Sequence, residues 1–301
     1  MRPYVLSNLD IGTYLIHIVG LLAIATVCVA AFVRYVVASR SLRRIEDRTR
    51  SAIERNEFYL EYQAIVDLKT GQWVGAEALL RWRHPRLGLV RPSAFIGQLE
   101  RTRAIAPLTE FVLATALAEF GSCCFPKDFR IHVNLASKHV EMPCFPDDLA
   151  KTLKCAPSRF EVVFEITERG MLSQLPACRE RLISLRRQGV KYAVDDFGAE
   201  SSNLALLRSF EFDYIKLDKQ FMTELPRRGK GLVEGIADLA KKIDARVIAE
   251  GIEEAKQRDA VSSTGIRYAQ GYLFQRPERI GEFDRNYRKL QVDRGFRMSV
   301  E

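Results

Sequence analysis

The sequence predicts an α/β fold: a (β/α) barrel of about eight strands with one strand reversed, preceded by one N-terminal transmembrane helix. Three observations carry this expectation. Short apolar or β-branched runs alternate with longer amphipathic stretches from Phe58 onward. The first two of these runs are joined only by Asp67–Trp73, too short for a helical crossover, so that pair must be antiparallel. Ahead of them, Ile11–Val33 contains no charged residue.

At about 1.5 Å per residue, the apolar run would extend about 34 Å, against a hydrocarbon core of about 30 Å. A cleaved signal peptide places its basic residues before the apolar stretch. Here Arg34, Arg40, Arg43, Arg44, Arg48 and Arg50 follow it. A core helix of this length would show a polar face, and none is visible in the run. The arginine asymmetry then predicts a single-pass protein with its C-terminal bulk in the cytoplasm and about ten residues outside. The expected organisation is a tail and transmembrane helix over 1–38, a juxtamembrane helical linker over 39–56, and the main domain over 57–301. In the linker, Leu42, Ile45, Ala52 and Ile53 approximate a narrow apolar stripe. It fits a solvated helix near anionic lipid as well as a short dimerising helix.

Hydrophobic residues make up 47% of the 301 and charged residues 28%, enough to bury a core and to exclude general disorder. The formal charge of +8 comes with no aromatic-interleaved basic platform and no helix-turn-helix pattern, so no nucleic-acid partner is expected. The six cysteines form no C-x-x-C pair, which argues against a structural zinc and for reduced thiols.

Within the main domain, the expected strands are Phe58–Val66, Val74–Arg81, Arg130–Leu135, Glu161–Thr167, Lys191–Val194, Tyr214–Leu217, Arg246–Ala249 and Tyr268–Gly271. Amphipathic stretches between them include Leu108–Phe120, Ala177–Gln188 and Val233–Ile243. Gly189 suits a left-handed helix cap. No Gly-rich dinucleotide motif, Walker motif or internal repeat interrupts the pattern.

Polar residues recur within or just past these strands: Glu77, Asn134, Glu165 and Glu168, Asp195 and Asp196, Lys216, Glu250 and Glu253, and Gln270. An unpaired buried carboxylate costs several kcal/mol. In a barrel, the C-terminal strand ends converge on one mouth. So many acids meeting there require divalent cations, and oxygen-only ligands point to Mg²⁺ or Mn²⁺. Taken singly, each residue has a plainer reading: Glu77 as a satisfied interior carboxylate, Asp195 and Asp196 as a helix cap, Lys216 as a local ion-pair partner. Together they suggest a two-metal hydrolase of a phosphate ester.

The motifs can also be matched to a family. Glu77-Ala78-Leu79-Leu80-Arg81-Trp82, then VNLAS, FEITE, VDDFG, IKLD, AEGIE and AQGYLF, resemble in order the motifs of the EAL cyclic di-GMP phosphodiesterases, over about Glu57 to Pro277. The resemblance implies a TIM-like (β/α)8 barrel with one antiparallel strand, and hydrolysis of cyclic di-GMP to linear pGpG with two Mg²⁺ or Mn²⁺ ions. One metal would be held by Glu77, Asn134, Glu165 and Asp195, and the second by Asp195, Asp196 and Glu250. Lys216 would orient the attacking water or stabilise the transition state, and Glu250 would serve as ligand or base. Gln63, Leu79, Arg81 and Gln270 would bind substrate. Glu168 would anchor the loop after Asp196, and Glu253 would support the site. A homodimer at the bacterial inner membrane is implied as well. The membrane helix resembles the CSS-type subgroup, here expected as a shortened relative without the periplasmic sensor.

Several positions depart from the family pattern. After DDFG, active members carry a Thr-Gly pair where this chain has Ala199-Glu200, in a loop thought to link dimerisation to metal binding. Ala64 and Gly97 replace usual prolines, and Arg103 a usual glycine. The alternative reading is therefore a weak or silent cyclic di-GMP receptor or protein-interaction regulator.

Overall fold

The computed structural model describes residues 9–100, 102–154, 159–167, 175–199, 207–208, 210–225 and 229–298. The chain divides into two compact units, Met1–Arg48 and Thr49–Glu301.

The second unit is a closed barrel. Its strands are β1 (Phe58–Asp67), β2 (Trp73–His84), β3 (Gly88–Val90), β4 (Arg130–Asn134), β5 (Glu161–Thr167), β6 (Lys191–Phe197), β7 (Tyr214–Leu217), β8 (Arg246–Ala249) and β9 (Tyr268–Gln270). From β2 through β4 to β9, each strand runs parallel to the next. β1 closes the ring between β9 and β2 and is antiparallel to both, as its short connection requires. Strand β3 lies outside this ring as a hairpin partner of β2. The hairpin bend is held by His84, whose Nδ1 accepts hydrogen bonds from the backbone N–H groups of Arg86 and Leu87.

Helices pack outside the barrel for the reason their spacing gives. In Lys230–Lys242, the buried residues Val233, Ile236, Ala237 and Ala240 recur every three or four positions and form one apolar face. Gly189 does end a helix in the left-handed conformation, at φ 92°.

Inside the barrel the strands obey a period of two. Ile65, Val163, Ala193, Tyr214, Ile248 and Tyr268 form one buried apolar cluster. Moving two residues toward the mouth along each strand leads to Gln63, Glu165, Asp195, Lys216, Glu250 and Gln270. Gln63 precedes its core residue because β1 runs the other way. An apolar layer thus floors a polar one.

The inner-membrane, single-pass placement expected from the sequence is corrected here. Among the described residues, no helix is long and apolar enough to cross a membrane. The apolar run is part of one 46-residue helix, Leu9–Glu54, which does not end where the run ends. That helix includes Asp10 at its start and Arg34 and the arginine cluster further on, so the rod as a whole has mixed polarity. The first eight residues lie outside the described ones.

His139, in the short helix Ser137–Val140, is fully buried edge-on to Phe145, and neither ring nitrogen has a hydrogen-bond partner. Burial pushes its pKa down to about 4, with Asp148 opposing weakly. The folded state therefore binds fewer protons than the unfolded state, whose histidine titrates near 6.5. That stability is present at neutral pH and is lost as pH falls from about 6.5 toward 4. Between pH 7 and 5, the wild type should lose about 2 kcal/mol more stability than His139→Phe, as read by urea unfolding.

Candidate active site

The barrel mouth is organised around one ammonium. Lys216, on β7, is 1% exposed. Its Nζ lies 2.7 Å from Glu165 Oε2, 2.9 Å from Asp195 Oδ1, 2.9 Å from Glu250 Oε1 and 3.4 Å from Glu77 Oε2. One positive charge thus faces four carboxylates. Burial alone would lower the lysine's pKa, but Asp195, Glu165, Glu250 and Glu77 hold it well above the usual value.

The remaining contacts fix the carboxylates. Glu77 Oε1 accepts from Asn134 Nδ2 at 2.9 Å, and its Oε2 from Gln270 Nε2 at 2.8 Å. Gln270 Nε2 also donates to Gln63 Oε1 at 3.0 Å. Gln63 in turn donates to the backbone oxygen of Gln275. Burial raises the pKa of Glu77, but Lys216, Gln270 and Asn134 outweigh it, and the net direction is down. Glu165 moves the other way, through burial first and then the neighbouring Glu77 charge. Glu250 is raised to about 8, again by burial before all else.

Asp195 and Asp196 are adjacent, and on a regular strand they would point to opposite faces. The β6–β7 register breaks between Val194 and Phe197, and Asp196 adopts a left-handed backbone at φ 53°. Such a bulge re-aims side chains. As a result Asp195, Asp196 and Glu250 each offer an oxygen within 4.8 Å of the others. Asp196 is exposed to solvent on one side, and partial desolvation at the barrel mouth, followed by the Asp195 charge, raises its pKa. Asp195 Oδ1 touches the ammonium without hydrogen-bond alignment, and Gln270 Oε1 is buried with no partner. Surplus negative charge, oxygen donors and under-used acceptor atoms suit a hard divalent cation.

Other expected residues fall differently. Leu79 and Arg81 follow Glu77 on the same face of β2 and are half-buried. Arg81 Nε is paired with Glu61 Oε2 at 2.8 Å, on the neighbouring strand β1. Glu253 is exposed beyond β8, and its backbone N–H donates to Gln257 Oε1. Glu168 and residues 200–206, Glu200 among them, lie outside the described residues. One residue that the sequence reading missed is His132, whose Nδ1 lies 2.8 Å from Glu165 Oε1. Its position, two before Asn134 on β4, was the available signal.

A closed α/β barrel that gathers acids around a buried lysine at its mouth has the layout in which barrel enzymes place their active sites. The sequence profile described as EAL domain matches residues 46–277, and the chain belongs to the EAL domain family. It is 35% identical over 245 residues to the probable cyclic di-GMP phosphodiesterase PdeN of Escherichia coli K12, covering 79% of this chain and 47% of that protein. It is 36% identical over 228 residues to a cyclic di-GMP phosphodiesterase of Pseudomonas aeruginosa PAO1, covering 73% and 38%. The chain therefore spans less than half the length of these curated relatives. Among solved structures, the PaMucR phosphodiesterase in complex with c-di-GMP matches with a TM-score of 0.71 and 29% identity, over 80% of this chain and 99% of that one. The EAL enzyme Bd1971, in its cAMP and cyclic-di-GMP bound form, matches with a TM-score of 0.74 and 28% identity, over 83% and 70%.

Removing the ammonium should expose the charge imbalance. Lys216→Met should lower stability by about 3–5 kcal/mol at neutral pH in the presence of a chelator. Stability should return as pH falls and the carboxyls protonate. Urea midpoints at two pH values check both arms.

Proposed function

We propose that the chain is a cyclic di-GMP phosphodiesterase that opens its cyclic substrate to linear pGpG. The observation that carries this reading is the four-carboxylate cluster around Lys216, in a family whose named relatives include cyclic di-GMP phosphodiesterases.

In this reading, Glu77, Asn134, Glu165 and Asp195 would hold one divalent ion, and Asp195, Asp196 and Glu250 a second, Mg²⁺ or Mn²⁺ in each case. Bound there, the ions would supply Lewis-acid charge to the phosphodiester and lower the pKa of the attacking water. Water attacks phosphorus in line, one P–O bond to the ribose breaks, and the freed hydroxyl takes a proton. The raised proton affinity of Glu250 suits it to take the proton that the water loses. The Lys216 ammonium offsets the charge that develops on the phosphoryl oxygens. Gln63, Leu79 and Gln270 would contact the substrate. Arg81 would turn from Glu61 toward a substrate phosphate. The homodimer belongs to the same reading.

The test is turnover of cyclic di-GMP by the full chain with Mg²⁺ or Mn²⁺, with pGpG followed by chromatography. Wild type should form product, and Glu77→Ala should lose at least about 10²-fold in rate. Calcium, larger and indifferent to octahedral geometry, should not support the reaction. Tight binding of cyclic di-GMP with no product would replace the enzyme with a receptor.

A further inference from the structure

The apolar floor of the barrel has one polar member. On six strands, the residue two positions below the mouth layer is Ile65, Val163, Ala193, Tyr214, Ile248 or Tyr268. On β4 that position, two below Asn134, is His132. It is completely buried, its ring edge-on to Tyr214 at 5.5 Å. Burying a polar ring in an apolar layer costs free energy unless a bond returns it. The ring makes one such bond, from Nδ1 to Glu165 Oε1 at 2.8 Å, while Nε2 has no partner.

That single bond is aimed at a carboxylate held from both ends. Glu165 Oε1 meets the imidazole, and its Oε2 meets the Lys216 ammonium. A carboxylate gripped by one partner alone swings about its terminal torsion, which is broad and roughly two-fold. Held at both oxygens, it cannot. A metal-binding carboxylate oxygen can only accept, so the 2.8 Å contact between Nδ1 and Glu165 Oε1 places the ring proton on Nδ1.

We propose that His132 is a positioning residue: its Nδ1–H fixes the Glu165 carboxylate in the orientation needed to hold a divalent cation. The proposal rests on the phosphodiesterase reading above. Groups that orient a metal-binding side chain in this way typically change metal affinity by about 10–100-fold when removed.

The experiment is calorimetric titration of the full chain with Mn²⁺, for wild type, His132→Leu, His132→Asn and His132→Gln, with the fold of each checked by circular dichroism. The asparagine amide places an N–H close to where Nδ1 stands; the glutamine amide reaches instead toward Nε2. His132→Leu and His132→Gln should weaken Mn²⁺ binding by about 10–100-fold, and His132→Asn should stay within about 3-fold of wild type. In cyclic di-GMP turnover, the loss should fall on kcat at limiting Mn²⁺, recover at high Mn²⁺, and leave the substrate KM unchanged. A folded His132→Leu or His132→Gln protein that binds Mn²⁺ like wild type overturns the proposal and leaves the phosphodiesterase reading intact. If only His132→Asn folds, a loss there as large as about 10-fold also overturns it. No Mn²⁺ binding by wild type removes both.

Discussion

Four carboxylates converge on the ammonium of Lys216 within 3.4 Å, and most other features of the barrel mouth follow from that arrangement. Four carboxyl groups share one ammonium in a site largely closed to water. Such an imbalance is stable only if other donors share the load. Asn134 and Gln270 donate to Glu77, and His132 meets Glu165, so that no side of these two acids is left bare. The opposing pKa shifts express the same constraint: Glu77, rich in donors, is lowered, whereas Glu165 and Glu250 are raised. A site with this much unspent negative charge is poised to accept cations.

The barrel supplies this arrangement through strand periodicity. One apolar layer of six residues sets the depth, and the next inward-facing residue on each strand becomes a site residue. Reversing β1 does not disturb the layering, because the same period works in both directions. The exceptions are local. A register break and a left-handed Asp196 let two adjacent acids reach the same carboxylate partner, Glu250. On β4, the floor is a histidine rather than an apolar residue.

The strands were legible because their apolar and β-branched letters are set by burial on both faces of a barrel wall. Reversal of β1 was legible from the length of its connection. β3 was not, because three residues, Gly88–Val90, carry too little pattern to separate a strand from a turn. Most candidate site residues were legible as polar letters at strand ends, but their partners were not. The Arg81–Glu61 pair depends on the β1–β2 register, and the joint reach of Asp195 and Asp196 depends on a bulge. His132 was overlooked because the adjacent Asn134 drew the functional reading, although the same two-residue step selects both. The sequence pattern placed a boundary between an apolar segment ending at 38 and a linker over 39–56, whereas one helix continues through the arginine cluster to Glu54.

In the proposed reading, this acid cluster exchanges part of its dependence on Lys216 for divalent cations. Anomalous diffraction from crystals grown with Mn²⁺ tests it directly. Two manganese peaks per chain are expected, one bounded by Asp195, Asp196 and Glu250 and one by Glu77, Asn134, Glu165 and Asp195. Crystals that show no manganese at the barrel mouth, with Lys216 still contacting all four carboxylates, would contradict it.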